Sequence, residues 1–211
     1  MININPRKVI KEMTEFLRGE WKSLCKEFNV DVDFYIVYAD EDLKLMWNNV
    51  YRYDSAMQSA EDIIKHYTAF RNIDTIIDTA IGYVSEDGEV HQHVTLLRET
   101  LYYLIIVCMD HLDDLKEFFR ISLRHEMGHC KANIDMFASM DLRDADKLLR
   151  KEYYETHKQY DEWCKEHPDA TDEERTKFYY NTPQEKRAND VAGLTWDEMW
   201  KSESLVLYYD D

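Results

Sequence analysis

The residues His125-Glu126-Met127-Gly128-His129 match the pattern HExxH. On a helix, two histidines four positions apart differ by about 40° of rotation and about 6 Å of rise, so both imidazoles can reach one metal ion. Glu126 follows the first histidine and is close enough to hold a water molecule against that ion. In metal-assisted hydrolysis Zn²⁺ polarises a carbonyl and lowers the pKa of its water, and the glutamate takes the proton. The motif therefore predicts a metal site suited to hydrolysis.

Chance explains this motif poorly. A chain with 8 histidines among 211 residues is expected to contain about 0.03 such strings. The alternative interpretation is an exposed helix with two surface histidines. Apolar residues surround the motif, and they disfavour that alternative because a solvated helix face would be polar.

The two histidines leave the coordination of a catalytic zinc ion incomplete. Such an ion takes a third protein ligand and keeps a fourth position open for water. Glu185 is one candidate, and Ala188, Asn189 and Ala192 share its face if the surrounding stretch is helical. Small alanines on that face would let this helix approach the HExxH helix closely. The stretch therefore predicts a third ligand carried by a second helix.

Other sources of the third ligand stay open at this point. Asp135 lies six residues after the second histidine, a spacing used when the chain turns sharply there. That turn usually needs glycine where Ala132 stands. His157 and His167 are further candidates, and both belong to a predicted helix or its end.

Glu185 also has a purely structural interpretation. Three Thr-x-x-Glu patterns predict capping boxes that begin short helices, at Thr171/Glu174, Thr182/Glu185 and Thr195/Glu198. In a capping box the glutamate accepts a hydrogen bond from the backbone amide of the first residue of the pattern, so Glu185 would only satisfy an otherwise unpaired amide.

The two motifs together resemble those of the ImmA/IrrE-like gluzincin metallopeptidases, whose pattern is HExxH followed by ExxANxxA. The second motif is present here as Glu185-Lys186-Arg187-Ala188-Asn189-Asp190-Val191-Ala192. The resemblance covers about residues 101–193. It implies that His125, His129 and Glu185 bind zinc and that Asn189 supports a ligand histidine. It also implies a peptidase with Glu126 as general base, performing limited proteolysis of a regulatory protein such as a repressor.

The net charge limits the classes of partner that this chain is expected to bind. The 43 acidic residues against 26 basic ones leave a charge of −17, which repels phosphate backbones and anionic lipid headgroups. We therefore expect a protein or peptide substrate, no nucleic acid and no membrane. The charge also supports an alternative function, an acidic protein-binding module or nucleic-acid-mimic inhibitor whose zinc site is only structural.

The cysteines indicate the compartment. Cys25, Cys108, Cys130 and Cys164 are widely spaced and form no CxxC pair, which argues against a disulfide framework or a zinc ribbon. The N-terminal residues lack the continuous apolar core of a signal peptide, and no apolar run is long enough for a membrane span. Reduced thiols and a cytoplasmic location are therefore expected.

The hydrophobic patterning predicts one α+β domain over residues 1–211. A small antiparallel or mixed sheet in the N-terminal half packs against helices, and the HExxH helix and a helical C-terminal half follow. Helices are predicted over 6–28, 55–70, 113–131 and 141–166, and strands over 30–37, 75–84, 89–97 and 101–109. The strands 75–84 and 89–97 are predicted to form a hairpin. The run 101–109 could equally be a buried helix segment.

Two further groups of side chains could take part in chemistry. His91 and His93 alternate on a predicted strand, where a solvated face is favoured over a second metal site. Four tyrosines are candidate donors to an oxyanion, among which the sequence does not choose: Tyr153, Tyr154, Tyr179 and Tyr180.

Overall fold

The computed structural model describes residues 6–37, 77–84 and 90–207. These ranges contain the strands β1 (Asp33–Val37), β2 (Ile77–Val84) and β3 (Val90–Leu97). They also contain the helices α1 (Pro6–Phe28), α2 (Arg98–Val107), α3 (Leu112–Ser139), α4 (Leu142–Glu166), α5 (Asp172–Tyr180), α6 (Pro183–Ala192) and α7 (Trp196–Leu207). The helix predicted over 55–70 lies outside the described residues. None of the helices in the described ranges is long and apolar enough to cross a membrane.

Helix α1 spans the residues that the sequence predicts. Its apolar side chains recur every three or four positions, so one face is buried in the main core while charged residues cover the other. The buried residues of this face are Val9, Met13, Leu17, Trp21 and Leu24. The indole Nε1 of Trp21 donates to the Val32 carbonyl at 2.7 Å, which fixes the chain that leads into β1.

The three strands form one mixed sheet in the order β1-β3-β2. β1 pairs parallel with β3, and Asp33 lies opposite His93. β2 pairs antiparallel with β3, with an irregularity between Ala80 and Tyr83. β1 begins at Asp33 rather than at residue 30, and the turn expected between β2 and β3 lies outside the described residues.

The strand expected over 101–109 is wrong, because these residues lie mostly in helix α2. Burial follows a helical period here. Tyr103 and Ile106 are exposed on α2, whereas the residues that enter the core are Leu101, Leu104, Ile105 and Cys108. A strand would bury every second residue or all of them, so this spacing is compatible only with a helix.

Helices α3 and α4 form most of the second half of the described fold. α3 begins near the expected residue but continues to Ser139, eight residues beyond the predicted end at Lys131. α4 matches its prediction, and the Asp141 side chain caps it by accepting from the Arg143 amide at 2.9 Å. Phe118, Phe119 and Leu123 of α3 are buried in the same core as α1. The middle of α3 is therefore anchored against the sheet side of the fold.

Candidate metal centre

Helix α3 places His125 and His129 side by side. Their Nε2 atoms are 3.1 Å apart, and the rings meet edge to face with centroids separated by 4.7 Å. His125 is buried, while His129 is partly buried at the same face. The helical spacing of the HExxH motif thus brings two imidazole Nε2 atoms to one point, as the sequence predicts.

Glu185 of helix α6 joins this pair. Its Oε2 atom lies 3.1 Å from His125 Nε2 and 3.2 Å from His129 Nε2, and the residue is only 4% exposed. The three side chains form the one group of potential metal ligands found among the described residues. The expectation that His125, His129 and Glu185 come together therefore agrees with the structure.

The dimensions of this group fit a zinc ion. The three ligand atoms form a nearly equilateral triangle with edges of 3.1, 3.1 and 3.2 Å. An ion at about 2.05 Å from each atom would lie about 1 Å above the triangle, with ligand–metal–ligand angles of about 100°, close to the tetrahedral value of about 109°. The three donor atoms would therefore leave one tetrahedral position of such an ion to a fourth ligand.

A very close approach of α3 and α6 makes this geometry attainable. A Cβ atom added at Gly128 would lie 2.2 Å from the Ala188 carbonyl oxygen and 3.1 Å from the Ala192 Cβ. Only glycine on α3 and small residues on α6 allow two backbones to meet in this way. Arg124 reinforces the contact, because its Nε donates to the Ala192 carbonyl at 2.8 Å. The predicted role of the alanines in close packing is therefore confirmed.

Asn189 orients His125. The His125 Nδ1 atom lies 2.8 Å from Asn189 Oδ1, and because a carbonyl oxygen only accepts, Nδ1 carries the proton and donates. In the neutral ring Nε2 then presents a lone pair towards Glu185 and His129. This tautomer suits a bound cation, since the Nε2 atoms of both histidines and a carboxylate oxygen meet at the same point.

The charges of the group shift the pKa values of its members. Burial on its own lowers the pKa of His125, but Glu185, Glu126 and Asn189 outweigh burial and raise it to about 9. Burial on its own raises the pKa of Glu185, but the charge of His129 and the hydrogen bonds from both imidazoles hold it well below its usual range. Without a cation, a proton on His125 therefore compensates the buried carboxylate.

Glu126 lies beside the group without belonging to it. The residue is buried, and its charge is among the causes that raise the pKa of His125. Its carboxylate is thus within electrostatic reach of His125. Glu126 is therefore a neighbour of the three-residue group, whereas Glu185 is a member of it.

The capping box expected at Thr182/Glu185 is wrong. The Thr182 side chain makes no cap hydrogen bond and donates instead to the Tyr179 carbonyl at 2.7 Å. The Glu185 carboxylate faces the histidines, and its Oε1 accepts from the Tyr179 hydroxyl at 3.2 Å. The other two expected boxes are present, with both reciprocal hydrogen bonds at Thr171/Glu174 and at Thr195/Glu198.

The alternative third ligands lie elsewhere. Asp135 is more than half exposed and pairs with Lys131, because α3 continues straight past it instead of turning. His157 packs edge to face on Tyr153, and burial lowers its pKa although the charge of Glu185 opposes this. His167 is exposed and stacks on Trp163 at the end of α4.

The solvated strand face favoured for His91 and His93 is wrong at His93. This side chain is buried, its Nε2 has no hydrogen-bond partner, and its ring meets Tyr35 edge to face. Burial lowers the pKa of His93 to about 4, although the charge of Asp33 opposes this shift. The side chain of His91 lies outside the described residues.

Among the four tyrosines named from the sequence, two contact the group. Tyr179 binds Glu185, and the Tyr180 ring meets the His125 ring with centroids 5.3 Å apart. Tyr180 also donates to Glu203 at 2.9 Å, and burial raises its pKa well above the usual value. The sequence suggested oxyanion donors here, whereas these hydroxyls bind carboxylates. No short motif in the sequence signals that pairing.

Comparison of the chain with known protein families, with curated proteins and with solved structures finds no match in any of the three.

Proposed function

We propose that this protein is a zinc-dependent metallopeptidase of the gluzincin type that hydrolyses a peptide bond. The observation that carries the proposal is the convergence of His125 Nε2, His129 Nε2 and Glu185 Oε2 within 3.2 Å of one another. Asn189 behind His125 and Glu126 beside it complete the set of residues that such a reaction needs.

The chain's own residues have separate tasks in this reaction. Zinc, when bound, supplies a Lewis acid that polarises the scissile carbonyl and lowers the pKa of a water molecule. Glu126 accepts the proton of the attacking water and returns it to the leaving amine. Asn189 keeps His125 in the tautomer that presents Nε2, so the ligand set stays ordered between turnovers.

The substrate class follows from charge and from the resemblance. A chain with a net charge of −17 is suited to a protein or peptide substrate and repels nucleic acids and anionic membranes. We infer limited proteolysis of a regulatory protein by a single domain in the cytoplasm. All four cysteines are free thiols, the state that a reducing compartment maintains, and this supports the location.

The alternative is an acidic protein-binding module, or a nucleic-acid mimic, with a structural zinc site. The net charge of −17 favours it. Structural zinc sites, however, are closed by four protein ligands. In the described part of the chain three potential ligands gather, which is the number expected of a site that keeps a position for water. The ligand number therefore favours the peptidase.

The first test measures the metal. We expect the purified protein to hold about one zinc ion per chain, because the three donors converge on one point. Replacing His125 and His129 together with alanine should abolish zinc binding. Unchanged zinc content in that double variant would place the metal elsewhere and contradict the proposed site.

The second test separates the enzyme from the binding module. Glu126→Gln should retain fold and zinc but lose about 10²–10⁴-fold in rate, because it removes the general base. Glu117→Gln, which changes an exposed carboxylate on the same helix, is the matched control. If the protein is a peptidase, Glu126→Gln should retain an intact partner that the wild type and the control cleave. Equal recovery of an uncut partner by all three forms, fully loaded with zinc, would refute the peptidase.

A further inference from the structure

The two oxygens of the Glu185 carboxylate have different partners. Oε2 faces both ligand histidines at 3.1 and 3.2 Å, whereas Oε1 accepts a hydrogen bond from the Tyr179 hydroxyl at 3.2 Å. The carboxylate is buried, so its orientation depends on these neighbours rather than on solvent. A tyrosine thus engages the oxygen that would otherwise be free to turn towards the metal position.

Tyr179 itself is held firmly relative to Glu185. Its carbonyl accepts two hydrogen bonds from the buried Thr182, one from the backbone amide at 2.9 Å and one from the hydroxyl at 2.7 Å. These bonds join the end of α5 to the first turn of α6, which carries Glu185. The Tyr179 ring also packs edge to face on Tyr160 of α4, with centroids 5.4 Å apart. Backbone and ring therefore both fix the direction of the hydroxyl.

This arrangement explains why Thr182 and Glu185 do not form a capping box. In a capping box, Glu185 would accept from the Thr182 amide, but here the Tyr179 carbonyl accepts from that amide. The Thr182 amide is therefore satisfied without the glutamate. The Tyr179 carbonyl thus accepts the hydrogen bond that Glu185 would accept in a capping box, and the Tyr179 hydroxyl donates to the Glu185 carboxylate.

We propose that Tyr179 is a positioning residue that keeps Glu185 a ligand through one oxygen only, so that the fourth coordination position stays open for water. This inference rests on the proposed function, since it requires a zinc ion at the three-residue group. A carboxylate that bound through both oxygens would add a ligand and crowd the position that water needs. Loss of such a supporting hydrogen bond typically weakens metal binding by about 10–100-fold.

Cobalt substitution tests the inference by a readout that does not depend on activity. The visible bands of protein-bound Co²⁺ lose intensity when its coordination number rises from four to five. We expect Tyr179→Phe loaded with Co²⁺ to show weaker bands than the wild type, and its zinc affinity to fall by about 10–100-fold. Tyr154→Phe, which removes the hydroxyl of an exposed tyrosine on α4, should match the wild type in both.

The outcomes separate this inference from the proposed function. A wild-type protein that binds neither Co²⁺ nor Zn²⁺ would overturn both. In a second outcome, the wild type binds the metal through His125 and His129, and Tyr179→Phe has the same spectrum and affinity. That outcome would overturn the role of Tyr179 alone. A purely structural role would lower the unfolding midpoint of metal-free Tyr179→Phe and leave the cobalt bands unchanged.

A second variant covers the case in which Tyr179→Phe folds poorly. Thr182→Val keeps the side-chain shape and removes the hydroxyl that holds the Tyr179 carbonyl. It should weaken the cobalt bands in the same direction and by a smaller amount. Bands identical to those of the wild type would count against the inference.

Discussion

Replacing Gly128 with alanine tests whether the close contact between α3 and α6 positions the residues of the proposed metal site. The new Cβ would lie 2.2 Å from the Ala188 carbonyl oxygen, whereas ordinary contact begins near 3.4 Å. That oxygen belongs to the backbone of α6 and cannot rotate away. The two helices therefore have to separate by about 1 Å, since a packed core yields by shifting whole elements.

The separation acts directly on the third ligand. Glu185 is carried by α6, so the same shift would move Oε2 about 1 Å away from the two histidines. An oxygen about 3 Å from the ion is outside the range of about 2.0–2.2 Å for zinc ligands. We expect zinc affinity to fall by about 100-fold, at the upper end of what loss of a supporting contact costs.

The effect on stability is smaller because two contributions oppose each other. Overpacking costs about 1–3 kcal/mol, while alanine is favoured over glycine inside a helix by about 1 kcal/mol. We expect a net loss of up to about 2 kcal/mol, which at this chain length lowers the unfolding midpoint by at most roughly 4–8 °C.

Competition titration with a zinc chelator and thermal unfolding of the metal-free protein would measure both effects. Gly19→Ala is the matched control, because Gly19 lies on α1 with nothing within 4 Å of the added Cβ. That control should keep its zinc affinity and gain up to about 1 kcal/mol of stability. A Gly128→Ala variant with wild-type zinc affinity and an unchanged unfolding midpoint would refute the close-packing argument.

Three further predictions follow from the described contacts. Glu185→Ala should lower zinc affinity far more than Asp135→Ala, since Glu185 faces both histidines and Asp135 does not. The reverse order of affinities in a chelator competition would contradict the ligand assignment. The metal-free protein should lose stability as pH rises from 6.5 to about 9, because the unfolded state releases the His125 proton near 6.5 while the folded state, with its raised pKa, holds it until about 9. Urea unfolding of wild type and His125→Gln at several pH values should show this slope in the wild type only. Burial lowers the pKa of His93 in the folded state to about 4, so on acidification the unfolded state binds the proton first and stability should fall as pH drops from 6.5 towards 4. His93→Leu should flatten that part of the curve of stability against pH. An unchanged curve would argue against burial of a neutral imidazole.

The grouping of His125, His129 and Glu185 was largely predictable because its parts are local. The spacing of His125 and His129 on a helix, and the shared face of Glu185, Ala188 and Asn189, depend only on the helical repeat. The motif resemblance supplied the pairing of the two helices. The small residues then indicated how closely the helices approach, which the contact of Gly128 with Ala188 bears out.

The features that were missed depend on tertiary contacts. The run 101–109 is apolar throughout, so only the exposure of Tyr103 and Ile106 in the folded chain distinguishes a helix from a strand. The pattern Thr182/Glu185 fits a capping box locally, but contacts with Tyr179 and the histidines decide its conformation. The parallel pairing of β1 with β3 likewise joins segments that are distant along the chain.

The distance along the chain between the ligands sets an order of events during synthesis. Glu185 is separated from His129 by 56 residues, so it leaves the ribosome after α3 and α4 have been made. At about 5–20 residues per second the histidine pair is present for several seconds before the third donor exists. A nascent chain at that stage holds the two histidines without the carboxylate that charges the group. If the proposed function is right, tight metal uptake is therefore a late step that requires α6 to have been made.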